Sequence, residues 1–179
     1  MKYWKRIQLE HVETIQHKTL QFLSNNRDKL KSTYCPLNFV DYCKAVPEIL
    51  TAFAMHNIKP IAVAVYIMRD NNDIKPHKDR TFSVARVNIP ILNCEGTWTL
   101  FHRSIIDTVN KTPSILPSGV SYQLCDPAHL EEVDRVSITE PTIIRPQEIH
   151  SVIMKEENSP RITLTVTCNP DPKFMLEHE

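Results

Sequence analysis

Glycine is almost absent from this 179-residue chain: Gly96 and Gly119 stand against thirteen prolines. A GxGxxG dinucleotide loop or a P-loop needs at least two closely spaced glycines, so both chemistries are excluded. Paired cysteines are missing too. Cys35, Cys43, Cys94, Cys125 and Cys168 are odd in number and form no CxxC. That argues against a disulfide framework and a zinc knuckle, and for a reducing, cytoplasmic setting. No long apolar run occurs. The longest, Ile61 to Met68, is too short to cross a bilayer, and Met1 to Arg6 has no apolar signal segment. Net charge is missing as well, since 21 basic and 21 acidic residues cancel. A neutral chain has no global field for a phosphate backbone; this disfavours non-specific nucleic-acid binding while leaving a local groove open. What remains is an ordinary globular composition, 41% hydrophobic and 23% charged, enough for one domain with a real core.

The pattern changes near residue 58. Before it, the spacing is helical. Val12, Ile15, Leu20 and Leu23 share a stripe that ends at Ser24-Asn25-Asn26. Asn38 or Asp41 suits the start of a second helix, and Val46, Ile49, Leu50 and Phe53 continue the spacing, with Pro47 in a first turn. Helices are expected over 8–24 and 45–56. After residue 58, β-rich segments follow at 61–68, 83–91, 96–101, 141–144, 150–154 and 161–168. The last alternates strictly, with Arg161, Thr163, Thr165 and Thr167 on one face and Ile162, Leu164, Val166 and Cys168 on the other. Asp70 to Asp73, Thr112 to Ser114, Pro117 to Gly119 and Asn158 to Pro160 read as turns. The expectation is an α+β domain: a helical layer over 1–57, a β-sandwich or barrel over 58–172, and a disordered tail over 173–179.

The chemistry-bearing residues cluster after the change. In Lys75-Pro76-His77-Lys78-Asp79-Arg80, residues 77 and 79 point to the same side of an extended segment, so an imidazole and a carboxylate can meet one cation. Alone, such a pair is a weak signal, and His77 reads as a solvated loop histidine. His11-Val12-Glu13 and His129-Leu130-Glu131 are similar pairs, the first in an expected helix where i and i+2 diverge, the second on a surface turn. His150 adds a second imidazole at the start of a β-segment. Two His and one carboxylate form the facial triad of non-haem Fe(II) sites, which leaves positions open for an oxidant and a chelating cosubstrate. If 150–154 and 161–168 pair as a hairpin, Arg161 lies ~13 Å from His150 along the sheet, at ~3.3 Å per residue. An extended arginine and a five-carbon dicarboxylate span that distance, with the guanidinium taking the far carboxylate as a bidentate pair. Thr163 projects from the same face.

His77-x-Asp79, then His150, then Arg161-x-Thr163 resembles the 2-oxoglutarate/Fe(II)-dependent oxygenase superfamily. The resemblance covers about residues 60–170 and includes Ala85 to Ile91, Asn93 to Phe101 and Pro141 to Ile144. These segments are similar to small, poorly characterised members, including phage and marine microbial oxygenases. Many members carry Ser where this chain has Thr163, and a hydroxyl is retained. The resemblance implies a double-stranded β-helix, a jelly-roll or cupin-like barrel with helices packed on its major sheet. It implies Fe(II) ligation by His77, Asp79 and His150, and 2-oxoglutarate binding by Arg161. It further implies decarboxylation of 2-oxoglutarate to succinate and CO2, with oxidation of a C–H bond by molecular oxygen. Thr163 and Tyr66 are candidate cosubstrate contacts. Arg86 and Asn88, on one strand face, are candidates for substrate or for a structural network; Trp98 is a candidate substrate platform or core residue. The substrate class stays open between a small molecule and a peptide. Two other readings stand beside this one: a cupin-like metalloenzyme that dispenses with 2-oxoglutarate and Arg161, and a non-catalytic β-barrel binding module.

Overall fold

A computed structural model describes residues 1–30, 32–69, 73–106, 111–115 and 121–177. Twelve strands among them build two six-stranded antiparallel sheets, with helices on one outer face. The major sheet runs in the order β1 (Trp4–Arg6), β10 (Thr142–Ile144), β5 (Arg86–Leu92), β12 (Arg161–Asn169), β3 (Lys59–Met68) and β2 (Tyr34–Pro36). The minor sheet runs β7 (Lys111–Ile115), β8 (Ser121–Cys125), β4 (Ile74–Asp79), β11 (His150–Ile153), β6 (Trp98–Ser104) and β9 (Leu130–Val136). This is an α+β, jelly-roll-like arrangement.

The helices form where the sequence carries their signals. In α1 (Val12–Asn25), Ile15, Thr19 and Leu23 are buried at spacings of four, and the last turn is closed by Asn26, whose side-chain amide donates to the Phe22 carbonyl. Asn38 caps α2 (Phe39–Ala45) by accepting from the Asp41 amide, a cap worth about 1 kcal/mol. The expected helix over 45–56 is instead α2 followed by two single 3-10 turns at Pro47–Leu50 and Ala54–His56. Ile15, Tyr42, Ile49 and Phe53 pack on Val65, Ile89 and Leu164 of the major sheet, all fully buried. Each such side chain contributes roughly 1.5–3 kcal/mol of burial energy.

β12 is buried on both faces. Ile162, Leu164 and Val166 face the helices, while Arg161, Thr163 and Thr165 face a cavity between the sheets. An alternating strand with a buried polar face marks the wall of a site rather than a solvated surface.

Several expectations are corrected. β11 and β12 do not form a hairpin. β11 pairs with β4 and β6, and β12 with β3 and β5, because the chain crosses from one sheet to the other between them. Thr112 to Ser114 belong to β7 rather than to a turn; Pro113 is tolerated there because β7 is an edge strand. Phe174 to Leu176 are not disordered: Pro172–Leu176 forms a 3-10 turn, and Leu176 is buried in the main core. β1, β2, β8 and β9 are additional strands. Residues 70–72 and 117–119 of the expected turns, and His178 of the tail, lie outside the described residues.

Candidate metal centre

β4 and β11 are antiparallel neighbours, and their register sets His77 directly opposite His150. The ring centroids are 4.3 Å apart. Asp79, two residues beyond His77, turns to the same side, with Oδ1 3.4 Å from His77 Nε2. The potential ligand atoms of His77, Asp79 and His150 all lie within 4.8 Å of one another. Both histidines are buried and Asp79 is nearly so.

The backbone fixes how the imidazoles present themselves. His77 Nδ1 lies 2.8 Å from the Lys75 carbonyl, and His150 Nδ1 lies 2.9 Å from the Glu148 carbonyl. A carbonyl can only accept, so each Nδ1 carries the proton and donates it. Each Nε2 is then free to offer a lone pair to the cluster. Burial, then the neighbouring His77, pushes His150 down to about 4, so its ring is neutral at physiological pH. Burial alone would push the Asp79 carboxyl up. The neighbouring His77, His150 and Arg86 side chains outweigh it and hold Asp79 below its ordinary value. Two imidazole nitrogens facing a carboxylate leave a cation as the natural complement. This N,N,O donor set suits a first-row divalent metal such as Fe(II).

The cluster opens into a cavity of about 480 Å³, mouth included, between the two sheets. Tyr66, Arg86, Asn88, Arg161, Thr163 and Thr165 line it from the major sheet; Ile74, Thr99 and Val152 join the ligands from the minor sheet. Arg161 is 3% exposed. Its Nε donates to Thr97 Oγ1 at 2.9 Å and one terminal nitrogen meets Met68 Sδ at 3.6 Å. No carboxylate among the described residues pairs with it, and burial lowers its pKa. Arg86 sits beside the triad, with Nη1 3.5 Å from Asp79 Oδ2 and Nη2 2.5 Å from Thr81 Oγ1. Asn88 Oδ1 accepts from Thr165 Oγ1 at 2.9 Å, so Asn88 is both a network member and a cavity residue. Trp98 stands apart. It is neither core nor cavity wall: 37% exposed on the outer face of β6, it lies under the Arg135 guanidinium at 5.8 Å.

Some contributors carry no sequence signal. Tyr122 of β8 sets its ring edge-on to His77, with centroids 5.5 Å apart. Phe101 of β6 pairs with His150 in register and backs its ring. Thr81 and Thr97 anchor the two arginines. Each is a single hydroxyl or aromatic residue with no spacing to betray it.

No family model matches the chain, and no curated protein matches it. Solved structures do. AviO1 from Streptomyces viridochromogenes Tue57 is 10% identical, covering 92% of this chain and 88% of that one, with a TM-score of 0.54. ThoJ, a non-heme monooxygenase in its apo form, is 13% identical over 92% of this chain and 73% of that one, with a TM-score of 0.50. The chain shares the overall fold of these two structures. Likeness of fold leaves the chemistry to the chain's own His77, Asp79, His150 and Arg161 side chains.

Proposed function

We propose that the protein is a 2-oxoglutarate- and Fe(II)-dependent oxygenase that hydroxylates a C–H bond of a small-molecule or peptide substrate. One observation carries the reading: Arg161 is a buried guanidinium with no carboxylate partner among the described residues, facing the same cavity as the His77-Asp79-His150 cluster. An unpaired buried charge costs several kcal/mol, which an anionic ligand removes. A dicarboxylate with one end on a metal at the cluster and the other on Arg161 meets both needs. Dioxygen supplies one oxygen atom to the new C–OH and the other to succinate, with release of CO2.

His77, Asp79 and His150 would hold the iron, which supplies the redox chemistry for dioxygen. Arg161 binds the far carboxylate, and Thr163 offers it a hydroxyl. Tyr66 stays a neutral phenol and hydrogen-bond donor, because burial, then the charge of Asp79, raises its pKa well above the ordinary value. Ile138, Ile144 and Val152 exclude water from the reacting centre. Substrate contacts are assigned to Arg86 and Asn88. The reading takes the two facing sheets as a double-stranded β-helix, with 58–172 as the oxygenase core, 1–57 as its helical layer and 173–179 as a terminal segment. Five free cysteines support a cytoplasmic setting, and no helix among the described residues is long and apolar enough to cross a membrane.

The test is anaerobic titration of metal-free protein with Fe(II) and then 2-oxoglutarate, following the visible charge-transfer band. The band is expected in the wild type. Arg161→Ala is expected to weaken 2-oxoglutarate binding by about thirtyfold or more, with iron binding retained. Iron binding without a band would favour a cupin-like enzyme; no iron binding would favour a binding module.

A further inference from the structure

We infer that the substrate is a small monocarboxylic acid whose carboxylate is bound by Arg86; this rests on the oxygenase reading above. Among the described residues lining the cavity, Asp79, Arg86 and Arg161 are the charged side chains once the imidazoles serve as neutral ligands. A divalent iron and a 2-oxoglutarate dianion cancel each other. Asp79 cancels one arginine. One positive charge is left among largely buried side chains, where an uncompensated charge is costly. The missing partner is therefore a single negative charge.

Geometry assigns that charge to Arg86. Arg161 is taken by the cosubstrate. Arg86 gives Asp79 only a long 3.5 Å contact, and a metal at the triad draws on the same carboxylate. Its Nε is buried and has no hydrogen-bond partner. The side chain is 12% exposed and lies between Asp79 and Thr81. A free Nε beside a terminal nitrogen is the edge that takes a carboxylate through two parallel hydrogen bonds. A phosphate would bring close to two charges and overshoot the balance. Because Arg86 contacts a metal ligand directly, the bound acid would hold a carbon near its carboxylate at the centre. The reaction is then hydroxylation of that carbon: the C–H becomes C–OH, and 2-oxoglutarate and dioxygen become succinate and CO2.

The experiment uses the anaerobic Fe(II)·2-oxoglutarate protein and a panel of small monocarboxylic acids, each matched with its primary amide. Thermal stability and the position of the charge-transfer band report binding. At least one acid is expected to raise the melting temperature and move the band while its amide does neither. Arg86→Gln is expected to weaken that acid by about tenfold or more, and Arg86→Lys by less. Iron and 2-oxoglutarate affinities, measured in the same variants, separate loss of the acid site from damage to the centre. Acids and amides binding alike, acids binding Arg86→Gln undiminished, or no acid binding although the band forms would each overturn the inference alone. Absence of the band in the wild type removes the oxygenase reading, and this inference with it.

Discussion

His150 is a buried histidine whose environment strongly disfavours its charged form. Its folded pKa is about 4, against 6.5 for the free side chain, because burial and the adjacent His77 disfavour its charged form. The unfolded chain therefore binds a proton on this ring more readily than the folded one. The stability this represents is complete above about pH 6.5 and is lost as pH falls toward 4. Asp79 adds a loss of the same sign at lower pH: its folded pKa lies below the free value of 3.8, so its contribution is present above that value and vanishes below it. The shift at His150 corresponds to something on the order of 3 kcal/mol at full protonation. Thermal melts of metal-free protein should show the melting temperature falling by several degrees between pH 6.5 and 5. In His150→Gln that slope should flatten. An unchanged slope in the variant would place the acid sensitivity elsewhere.

The turn between β5 and β6 and the crossing between β11 and β12 act together on Arg161. Thr97 Oγ1 accepts from Arg161 Nε and donates to the Cys94 carbonyl at 2.7 Å. The turn itself bends through Asn93 and Gly96, both at positive φ, where Gly96 avoids the strain a side chain would bring. Asn93 Nδ2 reaches the Pro160 carbonyl at 3.0 Å and Asn158 Nδ2 the Glu95 carbonyl at 2.7 Å. Two loops that each cross between the sheets thus lock the guanidinium before any ligand arrives. Thr97→Val keeps the volume and removes the acceptor. It should weaken 2-oxoglutarate by roughly tenfold and leave Fe(II) affinity unchanged, with Thr97→Ser restoring the wild-type value; equal losses for both ligands would indicate general damage instead. None of this clamp was readable in the sequence. The alternation of 161–168 was, because period-two patterning survives without context. Its polar face was ambiguous, since a strand buried on both sides looks the same as one with a wet face. The partner of β11 was misread because nearness in sequence suggests a hairpin, and only the three-dimensional path shows the crossing. The gathering of His77, Asp79, His150 and Arg161 at one cavity was legible because residue type and order alone suggested it.

The C-terminal segment ties the assembled sandwich together, and its polar composition hid that role. Asp171 accepts from the Val84 amide at 2.7 Å, the Ala85 amide at 3.2 Å and Ser83 Oγ at 3.1 Å. It also accepts from the Lys173 amide at 3.0 Å, opening the 3-10 turn that buries Leu176. Arg145 Nη2 meets Glu177 at 3.6 Å and secures the far end. The segment pinned by Asp171 is the link between Asp79, a triad member, and Arg86, the second cavity arginine. A carboxylate holding two backbone amides contributes about 1–3 kcal/mol, because removing it strands buried donors. Asp171→Asn should therefore lower the melting temperature by roughly 2–10 °C in a chain of this size. Local opening should follow, seen as faster amide exchange in a peptide covering 80–86, while peptides from α1 stay protected. If the variant melts earlier with no change at 80–86, the segment stabilises the fold through Leu176 alone, and the order of the Asp79–Arg86 link comes from within the sandwich.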